Sequence, residues 1–239
     1  MTSFELFTEE QAVVGSVSEA LLNPALDPDE TRRLLVNLLE QYKKLLRQTK
    51  VLVKLSDGNA MKLHQLNDQL KRNSESLEYS ATHDALTGLL NKGAITQVVQ
   101  RQLATADFTL ILFDIDHFKK VNDTHGHYVG DRVLSEISRL VEQNIKHKDY
   151  VGRFGGEEFI IVLDEVSYSA ALSMADGLLR LIGDTVLVED GDMRVTVTVS
   201  MGLTTVRQHE SFEAVYTRAD KLLYAAKQNG RNRIESAIP

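Results

Sequence analysis

The chain has 239 residues, 43% hydrophobic and 26% charged, with a formal net charge of −7 and no cysteine. That length suits one or two domains, the acidic balance argues against broad nucleic-acid binding, and the missing thiols exclude disulfides and thiolate metal sites. The acidic start MTSFELFTEEQ lacks a basic segment followed by an apolar run, and no stretch approaches the ~20 apolar residues of a membrane span, so a soluble cytoplasmic protein is expected.

In chain order, residues 8–22 suit one short helix, broken at Asn23-Pro24. Asp27-Pro28-Asp29-Glu30 then marks a helix start, with proline in the first turn and acids near the positive dipole end. From Leu35 a heptad seam runs through Leu38, Tyr42, Leu45, Thr49, Leu52, Ser56, Asn59, Leu63, Leu66, Leu70, Asn73, Leu77 and Ser80. Nine of these 14 positions are large and apolar, the pattern of a left-handed coiled coil, with a soft point or kink at Ser56, Gly58 and Asn59. Residues 1–80 thus read as a helical stalk that self-associates, the other reading being a helix packed on its own domain. Lys43, Lys44, Arg47, Lys50 and Lys54 make a basic face, either merely solvated or a dock for an acidic regulatory partner.

From residue 81 strands and helices alternate. FTLILFDI (108–115) is a buried central strand, and 130–145 is helical. Residues 150–154 and 158–163 form a hairpin around Gly155-Gly156; 167–182 is a helix, 193–203 a strand rich in Val and Thr, and 212–230 a helix stopped by glycine. The expected fold is α+β: the stalk, then a βαββαβ palm-like domain over 81–239, with helices on one face of an antiparallel sheet.

Asp114 ends the buried strand, and Glu157 and Glu158 sit on the hairpin. Two glutamates on a hairpin are ordinarily a solvated tip. If the two strands are neighbours, however, these carboxylates crowd one spot and repel unless a cation lies between them. Oxygen-only ligands favour a hard ion such as Mg2+, of the kind used in nucleotide polymerisation. Histidines 117, 125 and 127 raise zinc as a weaker alternative.

Gly155-Gly156-Glu157-Glu158-Phe159 resembles the signature of GGDEF-domain diguanylate cyclases in its GGEEF form. Asp84 to Asn91 (DALTGLLN), residues 113–131 (FDIDHFKKVNDTHGHYVGD) and residues 219–232 (ADKLLYAAKQNGRN) resemble three further family motifs, with Lys92 where arginine is usual. A short chain with only a helical leader is similar to the SiaD-type cyclases. The resemblance implies condensation of two GTP to cyclic di-GMP and two pyrophosphates by a homodimer or higher homo-oligomer. It implies one or two Mg2+ per site, with Mn2+ able to substitute. Asp114, Glu157 and the Ile115 carbonyl match the metal ligands, with Glu158 beside them, and Glu157 is favoured over Glu158 as the indispensable acid. Asn122, His127 and Asp131 match the nucleotide readers, Phe118 a substrate contact, and Lys119, Lys227 and Arg231 the phosphate-binding positions. Taken alone, Asp131 reads as a helix N-cap, and Asp116 turns toward the site or is structural. Lys146 and Asp149 match a degenerate inhibitory product site, because lysine cannot make the bidentate guanine contact of arginine. The competing functions are a silent GTP or cyclic di-GMP receptor, a coiled-coil adaptor, and a cyclase for another nucleotide.

Overall fold

The structure is a computed structural model that describes residues 8–22 and 27–237. The expected break at Asn23-Pro24 lies outside the described residues. The chain divides into two compact units, up to Ser74 and from Glu75.

In the first unit α1 spans Thr8–Leu21, and α2, Pro28–Thr82, begins there and runs past the boundary. Asp29 and Glu30 occupy the first turn of α2, where carboxylates meet the positive end of the helix dipole. The helix passes unbroken through Ser56, Gly58 and Asn59, so the weak seam brings no interruption. No residue of α2 is buried. Leu35, Leu52, Leu63, Leu70 and Leu77 are all exposed, a stripe of apolar surface that the chain's own packing leaves uncovered. Among the described residues no helix is long and apolar enough to cross a membrane.

The second unit is built on a five-stranded sheet. Its strands are β1 (Phe108–Ile115), β2 (Tyr150–Arg153), β3 (Glu158–Asp164), β6 (Val199–Val206) and β7 (Ile234–Ala237), in the order β2-β3-β1-β6-β7. All pairs are antiparallel except β6–β7. β1 is central and buried along its whole length, as its unbroken apolar run requires.

The helices cover both faces, which corrects the one-face expectation. Leu110, Leu112, Ile160 and Val162 pack with residues of α3 (Lys92–Thr105) and α7 (Phe212–Gln228). Ile111, Phe113, Ile115, Phe159 and Ile161 pack with α5 (His127–Asn144) and α6 (Tyr168–Asp184). A strand apolar at every position buries side chains on both sides and so needs a helical layer on each.

Three further departures come from pairing partners that composition does not encode. The run 193–203 is two strands: β5 (Met193–Val195) pairs with β4 (Val188–Asp190) in a separate hairpin, and β6 begins at Val199 in the main sheet. Alternating Val and Thr read alike on either side of that crossing. A short helix, α4 (Phe118–His125), precedes α5, with Gly126 at φ 83° between them. After α7 the chain turns through Gly230, Arg231 and Asn232, all at positive φ, and adds β7 beside β6.

Candidate active site

The site begins with strand register. Asp114 lies directly opposite Glu158 across the β1–β3 ladder, and the Ile115 N–H donates to the Glu157 carbonyl at 3.3 Å. Opposed residues project to the same face, so Asp114 and Glu158 share the face of Leu112 and Ile160, under α7. There the Lys227 ammonium, on the last turn of α7, meets Asp114 Oδ1 at 2.8 Å.

What lets α7 come so close is Gly202, opposite Leu112 on β6. A Cβ at Gly202 would collide with the Ala219 carbonyl oxygen and the Leu223 amide nitrogen of α7. A lone glycine inside a Val/Thr-rich strand is a sequence signal for such backbone approach.

Neither Gly155 nor Gly156 takes a left-handed φ, so turn geometry does not call for glycine at either. A Cβ on Gly155 would stand 2.8 Å from a Glu158 carboxylate oxygen, whereas one on Gly156 would meet open space. The turn is fastened by Arg153, which sequence reading passed over. Its Nε and Nη2 donate to the Gly156 carbonyl at 3.1 and 2.7 Å, and its Nη1 reaches Asp84 Oδ1 at 3.1 Å. Burial alone would raise the Asp84 carboxyl; hydrogen bonds from Thr87 and Arg153 outweigh it and hold the pKa below its ordinary value. Asp84, the first residue of the DALTGLLN motif, is thereby tied to the glutamate turn.

Asp114, Glu157 and Glu158 all have raised pKa values. Burial is the main cause at each. Lys227 opposes the rise at all three, while the Asp114 charge adds to it at both glutamates. A raised carboxyl pKa in the fold means that ionisation destabilises the native state. Stability without ligand therefore falls as pH climbs from the unfolded pKa to the folded one, and levels off above it. A divalent cation at these groups relieves that cost and competes with protons. The rise in Tm on adding millimolar Mg2+ should accordingly be larger at about pH 8 than at about pH 5. A calorimetric melt giving equal shifts at both would contradict this.

Asp116 is structural. Its carboxylate accepts from Thr198 Oγ1 and Ser200 Oγ, each at 2.7 Å, and from the Asn232 N–H at 3.0 Å. It thus pins the strained turn that carries Arg231, whose φ of 60° is unusual for a non-glycine. Arg231 is half-buried, and its charge also acts on Asp114.

The expected nucleotide readers lie on the α4–α5 pair. Asn122 is half-buried on α4, and a Cβ on Gly130 would collide with its side-chain oxygen. Asp131, the residue after Gly130, is exposed; it stands inside α5, whose N-cap is Gly126, so the N-cap reading of Asp131 is corrected. His127 opens α5 and is exposed, as is Lys119 on α4. Phe118 is only 6% exposed and its side chain belongs to the core. What that position offers instead is backbone N–H at the start of α4, where helical amides have no partner within the helix.

Asp149 is buried and accepts the Lys146 N–H at 3.0 Å and the Asp164 N–H at 3.2 Å. Both residues line a cavity of about 440 Å3 with His83, Leu90 and Tyr150.

Among the described residues no three His, Asp or Glu side chains form a ready metal cage. The donor set nevertheless fits Mg2+, which takes one or two carboxylates and completes its shell with water and phosphate oxygens. Three partly desolvated carboxylates share one paired ammonium, Lys227, with Arg231 acting on Asp114 and Lys92 on Glu158, and all three pKa values stay raised.

Residues 81–233 match a family model described as diguanylate cyclase, GGDEF domain. Diguanylate cyclase DgcM of Escherichia coli K12 is 39% identical over 184 residues, 73% of this chain and 43% of that protein. The chain therefore spans less than half the length of that relative. Among solved structures, the coiled coil and GGDEF domain of DgcB from Caulobacter crescentus, in complex with c-di-GMP, gives a TM-score of 0.68 at 28% identity, over 77% of this chain and 98% of that one. Diguanylate cyclase SiaD from Pseudomonas aeruginosa, in complex with its activator SiaC, gives 0.64 at 28% identity, over 98% and 86%.

Proposed function

Because the chain belongs to the GGDEF-domain diguanylate cyclase family, we propose that it condenses two GTP molecules into cyclic di-GMP and two pyrophosphates. The observation that carries this reading is the register placing Asp114 opposite Glu158, with Glu157 beside them and Lys227 above, at the end of the central strand. The family model alone would allow a domain that has lost its chemistry; this intact group of charges is what an active one needs.

In this reading Asp114, Glu157 and the Ile115 carbonyl hold Mg2+, with Glu158 flanking. When bound, the metal lowers the pKa of the attacking hydroxyl and screens the triphosphate. Lys227, Arg231, Lys119 and the first N–H groups of α4 hold the phosphates. Asn122 and Asp131, with His127 nearby, accept the N1–H and N2–H of guanine. A site that hydrogen-bonds those donors rejects adenine, which lacks them. The 3′-hydroxyl of each GTP attacks the α-phosphorus of the other; one P–O bond forms, the α–β bridge breaks, and pyrophosphate leaves. Glu157 or Glu158 takes the hydroxyl proton.

Each domain holds one GTP, so two must face each other. The exposed seam of α2 supplies that pairing by packing against a second copy. A two-fold stalk also keeps the domains at an effective concentration on the order of millimolar. The basic face at Lys43, Lys44, Arg47, Lys50 and Lys54 is the surface for a regulatory protein, a role supported by the activator bound to SiaD. Incubating the pure chain with Mg2+ and GTP and identifying products by mass tests the activity. Cyclic di-GMP is expected; binding of GTP or cyclic di-GMP without turnover would mean a receptor.

Product feedback through Lys146 and Asp149 should be weak. Asp149 is buried with each oxygen accepting a backbone N–H, and lysine offers guanine no bidentate edge. Added cyclic di-GMP should leave initial rates nearly unchanged; strong non-competitive inhibition abolished by Lys146→Ala would overturn this.

A further inference from the structure

We propose that Lys227 is a resident stand-in cation: its ammonium holds the Asp114 carboxylate until a triphosphate draws it away, so that divalent metal and nucleotide bind cooperatively. This rests on the reading of the site as one for Mg2+ and GTP, and adds an order of events to it.

The geometry carries the argument. Lys227 Nζ sits 2.8 Å from Asp114 Oδ1, on the carboxylate that the proposed reading gives to the metal, and the Asp114 side chain is only 7% exposed. Mg2+ binds oxygen at about 2.0–2.1 Å. An ammonium already on that carboxylate repels an incoming metal at close range, so it must give way for the metal to bind tightly.

Only the side chain is free to do so. α7 is anchored by buried Ala219, Leu223 and Ala226 and by its backbone approach to Gly202. Lys227 itself is 31% exposed at the helix end, on a flexible four-carbon stem with a rotatable point charge. A triphosphate offers that charge a stronger partner, leaving Asp114 open to the metal. By linkage, the factor by which nucleotide tightens metal equals the factor by which metal tightens nucleotide. If Lys227 were purely a phosphate ligand, removing it would not change how nucleotide-free protein binds metal.

The test titrates Mn2+ into the nucleotide-free full chain at about pH 8, following bound metal by electron paramagnetic resonance. Wild type is compared with Lys227→Met, with Lys227→Gln in case the first folds poorly, and with Asp114→Asn as the site control. Removing the ammonium is expected to tighten nucleotide-free Mn2+ binding by about tenfold, within the usual range of coupling between sites. In wild type, an α,β-methylene GTP analogue should tighten Mn2+ binding by at least that factor, after correction for metal held by the analogue alone; in the variants the gain should be smaller by about tenfold, phosphate oxygens still supplying metal ligands. Unchanged or weaker Mn2+ binding in both Lys227 variants, with uptake still abolished by Asp114→Asn, would overturn the inference and leave the metal site standing. No Mn2+ uptake by wild type, even with the analogue, would overturn both.

Discussion

Asp114→Asn should lower cyclic di-GMP formation by at least ~10²–10⁴-fold, the range for removing one essential catalytic group. Asparagine keeps the shape and one acceptor oxygen but removes the charge that, in the proposed mechanism, holds the cation. The same change should not unfold the protein. Asp114 is an acid whose pKa burial raises, so its ionised form burdens the native state. Losing that burden offsets the loss of the Lys227 pair, and Lys227 is exposed enough to turn toward water. The expected signature is near-total loss of product, read by mass, with a Tm in chelator that stays level or rises. Activity within tenfold of wild type would remove Asp114 from the reaction.

Gly202→Ala should do the reverse, damaging the fold first and the chemistry through it. The added methyl lands on the Ala219 carbonyl and the Leu223 amide, which are helix backbone and cannot rotate aside. Such overpacking costs typically ~1–3 kcal/mol. For a domain of this size each kcal/mol is worth about 2–4 °C, so Tm should drop by roughly 2–12 °C. Moving α7 outward also displaces Lys227 from the phosphates it is proposed to hold, and a misplacement of about 1 Å can cost ~10²-fold in rate. Turnover should therefore fall even at temperatures where the variant is fully folded. Gly156→Ala, whose methyl meets open space, is the contrast: its Tm should hold. Equal melts for Gly202→Ala and wild type would refute the packing argument.

The two glycines show where reading residues in order stops being enough. The GG of the hairpin draws notice because two acids follow it, yet a methyl on Gly156 would meet nothing. Gly202 stands unremarked in VSMGLTTV and sets the distance between helix and sheet. The acids divide in the same way. Asp114 and Asp116 are two apart in FDID and equally buried, but one meets an ammonium and the other meets two hydroxyls and a backbone N–H. Nothing local separates them; their partners come from β6, from α7 and from the turn after it.

Sequence by itself determined what depends on periodicity and residue chemistry: the long helix with its apolar stripe, the buried strand 108–115, the hairpin beside it, and a set of oxygen ligands suited to a hard cation. These are legible because hydrophobic spacing reports which face is buried, and side-chain type reports what it can bind. Tertiary structure alone decided which carboxylate lies under Lys227, that Arg153 ties the glutamate turn to Asp84, and that 193–203 serves two sheets. Each of these is a contact between residues far apart in the chain, where closing the loop and fitting shapes choose the partner.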